Sequence, residues 1–537
     1  MINGLRATRD YMKRVAAYVQ QDDLFIGSLT VEEHLMFMAK LKMGSKVDTS
    51  QLKRTVRKVM REIGLAESAH NIIGTRTRKG ISGGEKKRLA FASEVLTSPP
   101  IFICDEPTSG LDSFLSFQVI SILKNLALAK GMTVILTIHQ PSSQVFHLFD
   151  RVYIMAQGHV AFTGTQNEAE RLWKGLDNPV PRNFNSCDHY LSSLSLKNEH
   201  DMHCRLQIKK ICDAFRHSES GHHVRKEAKA SSLMSTGSSE SSSMNWKQNN
   251  VDERKPYAAG FFKQVRVLHW RATKTVLREP LLLKVQLTQS IVIALLTGLV
   301  YIGTPVNKST IMTINGNLYQ MITNMAFMFQ FSVVHHFCFE MNTFYREHTA
   351  GLYRVSAYFV AKNLAELPSY ILSAVVFTSI LYWMSGLYPA IDAFGSYVLV
   401  GLLVQNIAIS IGYMFSCIFG TVQVAVAVMP IFVVPMMAFG GFFINQASLP
   451  SFFMPLKYLS YFGYGYEALA INEWTRIERI DGCDANSTCP HTGTEVIESL
   501  GFSPSKIHID LIIMFLMIVA FRFVAFIALL VRARSRK

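Results

Sequence analysis

Charge is what this sequence has least of. Asp, Glu, Lys and Arg make up 17% of its 537 residues, where a soluble domain carries roughly 25%, so long stretches are built to avoid water. Paired cysteine motifs are missing as well. The eight cysteines fall at 104, 187, 204, 212, 338, 417, 483 and 489 with no CxxC and no His-rich spacing, which excludes a zinc ribbon and a thioredoxin-like redox centre. The opening residues, MINGLRATRDYMKRVAAYVQ, are basic and hold no apolar core of signal-peptide length, so this segment is expected in the cytosol.

What is abundant points to a membrane. Hydrophobic residues reach 49% and the mean hydropathy is +0.19. The 54 Lys and Arg against 39 Asp and Glu leave a formal charge of +15. In a membrane chain such an excess gathers on cytosolic loops and beside anionic lipid, and no nucleic-acid partner is expected.

Composition divides the chain. Residues 1–175 alternate apolar runs of strand length (RVAAYV, PIFIC, MTVILTI) with charged helical stretches, the pattern of an α/β parallel sheet covered by helices. Residues 176–257 read as a linker, and 220–256, with its serine run, as largely disordered, because so few apolar residues cannot offset ordering entropy. Residues 258–280 mix apolar and basic residues at helical spacing, as an amphipathic connecting helix on the membrane face does. From 281 to 537 an all-α domain with six spans is expected, at about 281–303, 315–338, 357–383, 394–417, 423–445 and 508–531, each long enough for a ~30 Å hydrocarbon core.

An even number of spans places both termini on one side. The tail RARSRK and the Arg346 and Arg354 loop are basic, so that side is cytosolic. The loop at 446–507 then faces the lumen or the exterior. It holds Cys483 and Cys489 around Asn486-Ser487-Thr488, a glycosylation sequon and a cysteine pair, both of which belong to an oxidising secretory compartment.

Three runs in the first segment carry chemistry. The strand Ile101–Cys104 delivers Asp105 and Glu106 at its C-terminal edge, where nucleotide-hydrolysing sheets place a Mg²⁺-associated Asp and a water-polarising Glu. Upstream, Ser82, Gly83, Gly84 and Glu85 open a helix whose amides suit a phosphate. Downstream come Ser109-Gly110-Leu111-Asp112 and a second apolar strand that leads into His139, a proton-capable side chain.

In order and spacing, SGGEKKR, FICDEPTSGLD and ILTIHQPS resemble the nucleotide-binding domain of ATP-binding cassette proteins. The resemblance implies ATP and Mg²⁺ as cofactors. It makes Ser82, Gly83, Gly84 and Glu85 the signature that clasps nucleotide held by a partner domain, Asp105 the Walker B carboxylate, Glu106 the catalytic glutamate, Asp112 the D-loop and His139 the switch histidine. In AAYVQQDDLF, Gln21 matches the glutamine that senses Mg²⁺, with Gln20 the neighbouring alternative. Family members work as head-to-tail dimers, so a second half-transporter is implied, identical or different.

ATPase segment first and membrane spans second narrow the resemblance to the G, or White-type, half-transporters, and VQQDDLFIGSLT, LTIHQPSS, KICDAF and FGGFF extend it over nearly the whole chain. Such transporters move small molecules, among them tryptophan- or guanine-derived pigment precursors. A pigment granule, a lysosome-related organelle or the plasma membrane is the implied location. Phe442 and Phe443 would form the gate at the exit from the central cavity. A sterol or lipid exporter of the same subfamily, or a modulatory subunit without ATPase activity, are the alternatives. The last arises because no GxxxxGK[ST] run occurs in the sequence. The chain is accordingly expected to be truncated at its N-terminus, beginning after that loop, with a nucleotide-binding domain that is incomplete.

Overall fold

The computed structural model describes residues 2, 7–8, 11–12, 15–44, 47–75, 78–196, 202–234, 257–444, 451–482 and 490–535. They fall into two units, Met1–Ala259 and Gly260–Lys537.

In the first unit three short apolar runs, Ala16–Val19 (β1), Ile101–Cys104 (β2) and Thr133–Leu136 (β3), form a parallel sheet in the order β1-β2-β3. The register pairs Val19 with Cys104 and Cys104 with Leu136, so the three carboxyl ends finish level. Parallel neighbours need long crossovers. Val31–Lys42 (α1), Thr49–Glu62 (α2) and Gly83–Val95 (α3) lie between β1 and β2, and Ser113–Lys130 (α4) between β2 and β3. Thr30 with Glu33 and Ser82 with Glu85 form capping boxes on α1 and α3, each satisfying amides the first helical turn leaves unpaired. Leu89, Phe91, Phe102, Val119 and Leu123 are buried between helices and sheet.

Val152–Ala156 (β4) and His159–Gly164 (β5) form an antiparallel hairpin. Its turn residues Gln157 and Gly158 both hold positive φ, which suits the twist of a two-residue hairpin. Four helices follow: Gln166–Gly175 (α5), Ser186–Ser193 (α6), Met202–His217 (α7) and Glu219–Met234 (α8). The last three fall where composition predicts a linker, and α8 covers part of the stretch expected to be disordered. The reason is periodicity hidden by a polar average. Ile208, Ile211, Cys212 and Phe215 recur at i, i+3, i+4 and i+7, the stripe of an amphipathic helix, and are buried in one cluster with Phe162, Trp173 and Tyr190. Residues 235–256, which carry most of the serine run, lie outside the described residues.

The second unit is helical: Phe261–Arg278 (α9), Pro280–Val300 (α10), Ile311–Thr349 (α11), Val355–Met384 (α12), Ile391–Phe419 (α13), Val422–Ala438 (α14), Tyr461–Trp474 (α15) and Ile507–Ser535 (α16). Among the described residues four stretches are long and apolar enough to cross a membrane, Leu283–Val300, Val355–Met384, Ile391–Phe419 and Pro504–Ser535. The expected second and fifth spans are also helical but differ in kind. The second lies inside α11, whose 39 residues exceed a bilayer and include buried Asn315, Asn317 and Gln330. The fifth is α14, 17 residues long with Pro430 and Pro435 inside it, and it stops at Ala438 instead of running to 445.

The helix α13 packs against α11 and α16. At Gly412 a Cβ would stand 2.8 Å from the Gln330 carbonyl oxygen, so the two backbones touch in the way small residues permit between membrane helices. Arg522 of α16 donates to the Ser410 hydroxyl at 3.1 Å and to the Asn406 side-chain Oδ1 at 3.0 Å. A cation at this depth is tolerated when it is paired inside the bundle.

Glu473, near the end of α15, is 3% exposed and lies in the segment expected to face the lumen. Burial pushes its carboxyl up to about 7, against the hydrogen bond it accepts from the Tyr388 amide at 2.9 Å. The fold favours the neutral acid, so this stability is present below the ordinary value of 4.5 and is lost as pH rises through about 7. Hydrogen-exchange protection of α15 should therefore be greater at pH 5 than at pH 8, by on the order of 3 kcal/mol. Glu473→Gln should remove the difference; a difference that persists in that variant assigns the titration to another group.

Candidate functional site

Because β1, β2 and β3 end level, the residues that follow them meet at one edge of the sheet. Asp105 and Glu106 leave β2 there. The Tyr18 hydroxyl donates to Asp105 Oδ2 at 2.9 Å and the Thr137 hydroxyl to Asp105 Oδ1 at 2.8 Å. These bonds, Thr137 first and Tyr18 second, hold the carboxyl below its usual range, because donors aimed at a carboxylate favour its charged form. Thr137 also accepts from the Glu106 amide at 2.9 Å, so one hydroxyl fixes both acidic positions.

Glu106 has φ +40°. A non-glycine residue in that region stores strain of about 1–3 kcal/mol, and such residues cluster at functional sites. Its Oε2 accepts from Gln21 Nε2 at 2.8 Å. Gln21 is held in turn by Lys87 of α3, a buried side chain whose amine donates to the Gln21 carbonyl and lies 3.3 Å from Asp23. The two carboxylates and the Gln21 amide thus form one connected group.

The N-terminus of α3 lies elsewhere on the same unit. Ser82 caps it: its amide and hydroxyl both donate to Glu85 Oε2 at 2.8 Å, and the Ser82 hydroxyl accepts from the Glu85 amide at 3.3 Å. Burial opposes the charge on Glu85, but hydrogen bonds from Ser68 and Ser82 outweigh it and keep the carboxyl below its usual range. Ser82 and Gly83 are exposed and Gly84 is buried. A Cβ on Gly83 or Gly84 would come to 3.5 Å from Leu111 or Leu115 respectively, so this helix start lies against the loop that carries Asp112. Asp112 caps α4 by accepting from the Leu115 amide at 2.9 Å. His139 is exposed, three residues beyond the end of β3.

Of the residues singled out from sequence, Gln21, Asp105 and Glu106 are brought together, while Ser82–Glu85 and Asp112 form a second cluster. Sequence reasoning missed Tyr18, Thr137 and Lys87. The signal for Thr137 was its position as the first polar residue after an apolar strand; for Tyr18 it was a polar group one residue short of the end of β1.

In the second unit Phe442 stacks on Tyr319 of α11 with centroids 5.0 Å apart, and Phe443 meets the same ring edge-on at 5.6 Å. Both lie beyond the end of α14, past a turn in which Gly441 has φ +90°. Phe443 remains 62% exposed, so the pair is only half packed. Cys483, Asn486 and Cys489 lie outside the described residues.

Comparison with known proteins accords with this geometry. The family described as ABC transporter matches residues 2–109, and the families described as ABC-2 type transporter match residues 139–256 and 263–474. The ABC transporter ATP-binding protein/permease wht-1 of Caenorhabditis elegans is 43% identical over 99% of this chain and 80% of its own length. Protein white of Drosophila melanogaster is 41% identical over 100% of this chain and 77% of its own. The broad substrate specificity ATP-binding cassette transporter ABCG2 of Bos taurus is 30% identical over 99% of this chain and 83% of its own.

Proposed function

Because the chain belongs to the White-type, G subfamily of ATP-binding cassette half-transporters, we propose that it is one subunit of a dimer that uses ATP to move small molecules, namely tryptophan- or guanine-derived pigment precursors, across a membrane. The observation that carries the proposal is the pair of carboxylates at the level edge of the sheet, one preset by Tyr18 and Thr137 and the other held by Gln21.

The donor set suits a magnesium ion. Mg²⁺ takes hard oxygen ligands, commonly one or two carboxylates with substrate phosphates and water, and Asp105 supplies an ionised carboxylate aligned by its two donors. Such an ion would neutralise charge on the β- and γ-phosphates of ATP. The protein's own residues do the rest. Asp105 and Gln21 would hold the ion, Glu106 would orient the attacking water and take its proton, and His139 would hydrogen-bond near the γ-phosphate. Ser82, Gly83, Gly84 and Glu85 present a helix start to nucleotide bound by the other subunit, where the amides and the helix dipole favour an anion. Asp112 braces the loop against that start.

Both termini are cytosolic in this reading, and loop 446–507, with Asn486 glycosylated and Cys483 bonded to Cys489, faces the lumen of a pigment granule or related organelle, or the cell exterior. Phe442 and Phe443 gate the exit. Cells that express the full-length protein with a partner half-transporter should take up radiolabelled tryptophan, kynurenine or guanine into membrane-enclosed compartments above the level of untransfected cells. Sterol efflux in the absence of such uptake overturns the cargo assignment in favour of a lipid exporter.

A further inference from the structure

Where α13 ends beside the last turns of α16, a shallow cavity of about 640 Å³, open to the surface, lies between them, lined by Ile418, Phe419, Ala528, Val531, Arg532 and Ser535. Its chemistry is divided. Ala528 and Val531 continue an apolar strip that begins a turn earlier at the exposed Val524, while Arg532 and Ser535 place a guanidinium and a hydroxyl at the other end.

The guanidinium is seated there by the local structure. Arg532 Nη1 donates to the Ile418 carbonyl oxygen at 2.7 Å, one of the carbonyls a helix C-terminus leaves unpaired. Gly420 makes the room. It closes α13 in the left-handed conformation at φ +66°, and a Cβ there would collide with the guanidinium carbon of Arg532. Among the described residues no carboxylate lies within ion-pair distance of Arg532. One of its five N–H donors is used by Ile418, and among the described residues no acidic side chain balances the positive charge.

We propose that this cavity binds an anionic phospholipid of the cytosolic leaflet, with the phosphate on Arg532, the Ser535 hydroxyl turning to it from the Arg532 carbonyl oxygen to which it donates at 3.1 Å, and an acyl chain along Val524, Ala528 and Val531. A planar guanidinium fork matches phosphate oxygens in pairs. The adjoining apolar strip distinguishes a lipid from a free anion, and basic residues at the end of a span draw anionic lipid to that leaflet. The inference rests on the reading that the chain end after α16 is cytosolic.

The test uses the full-length protein in nanodiscs with spin-labelled phosphatidylserine or spin-labelled phosphatidylcholine. The motionally restricted fraction should favour phosphatidylserine by about fivefold, the effect of one basic residue at such a surface. Arg532→Gln should bring the ratio close to one. Ala528→Phe, which fills the cavity without altering charge, should do the same and decides the matter if Arg532→Gln fails to fold. Arg534→Gln, outside the cavity lining, should leave the preference largely intact. Overturning results are an unchanged ratio in Ala528→Phe, an equal loss in Arg534→Gln, which assigns the effect to general surface charge, or displacement of the labelled lipid by millimolar inorganic phosphate, which assigns the site to a free anion. A C-terminal epitope that antibody reaches only after the plasma membrane is permeabilised confirms the side of the tail independently; an epitope reached in intact cells ends the topology reading whatever the lipid ratios are.

Discussion

Glu106→Gln should lower ATP hydrolysis by at least ~10²-fold, the smaller end of the range for removing a general base, in a dimer that carries an intact GxxxxGK[ST] loop. The substitution preserves shape. A glutamine carbonyl oxygen can still accept from Gln21 Nε2, which now lies 2.8 Å from the carboxylate, and the residue 106 amide can still donate to the Thr137 hydroxyl. What is lost is the carboxylate that takes a proton from water. Nucleotide affinity should therefore hold while turnover falls, a loss of kcat with little change in KM. A single-turnover measurement with radiolabelled ATP reads the chemical step directly. Hydrolysis at the unmodified rate removes Glu106 from the catalytic role and leaves the strained φ of +40° without a function.

How much of this site was legible depends on whether the signal is local. Asp105 and Glu106 follow a four-residue apolar strand, and Ser82 with Glu85 reads as a capping box before a helix; each is a pattern within a few residues. Tyr18 and Thr137 reach the same carboxylate from strands 87 and 32 residues away. Only the pairing of Val19 with Cys104 and of Cys104 with Leu136 makes them neighbours, and strand register is a long-range property that no window of sequence contains. The helix α7 shows the opposite failure. Its signal was local, the i, i+3, i+4, i+7 spacing from Ile208 to Phe215, but a composition average over the linker concealed it. In α11 the expected span is present, but its average hydropathy stays low. Asn315, which lowers the hydropathy of the expected second span, accepts from the buried Trp474 indole at 2.8 Å, so its polarity is spent inside the bundle and not on lipid.

The second large effect concerns an ion pair sealed between the connecting helix and the end of α11. Arg271 Nη1 donates to Glu347 Oε1 at 2.6 Å and to Oε2 at 2.8 Å, and the Tyr353 hydroxyl donates to the same carboxylate. The two charged side chains are 5% and 4% exposed. Removing one partner of such a pair leaves an uncompensated charge away from water, which costs about 3–5 kcal/mol, far more than the ~1 kcal/mol at most of an exposed pair. Glu347→Ala should therefore lower the thermal midpoint of the purified protein sharply, and Arg271→Met should lower it less, because a carboxyl can take up a proton and retain its bond from Tyr353 where a guanidinium cannot lose one. The double variant Arg271→Met, Glu347→Leu should recover much of the loss, since apolar residues of similar volume replace a buried pair with little net cost. Double-mutant coupling of the two single changes measures the pair itself. A loss under about 1 kcal/mol in Glu347→Ala means that water reaches Arg271 and that the amphipathic helix is docked on α11 by its apolar residues alone.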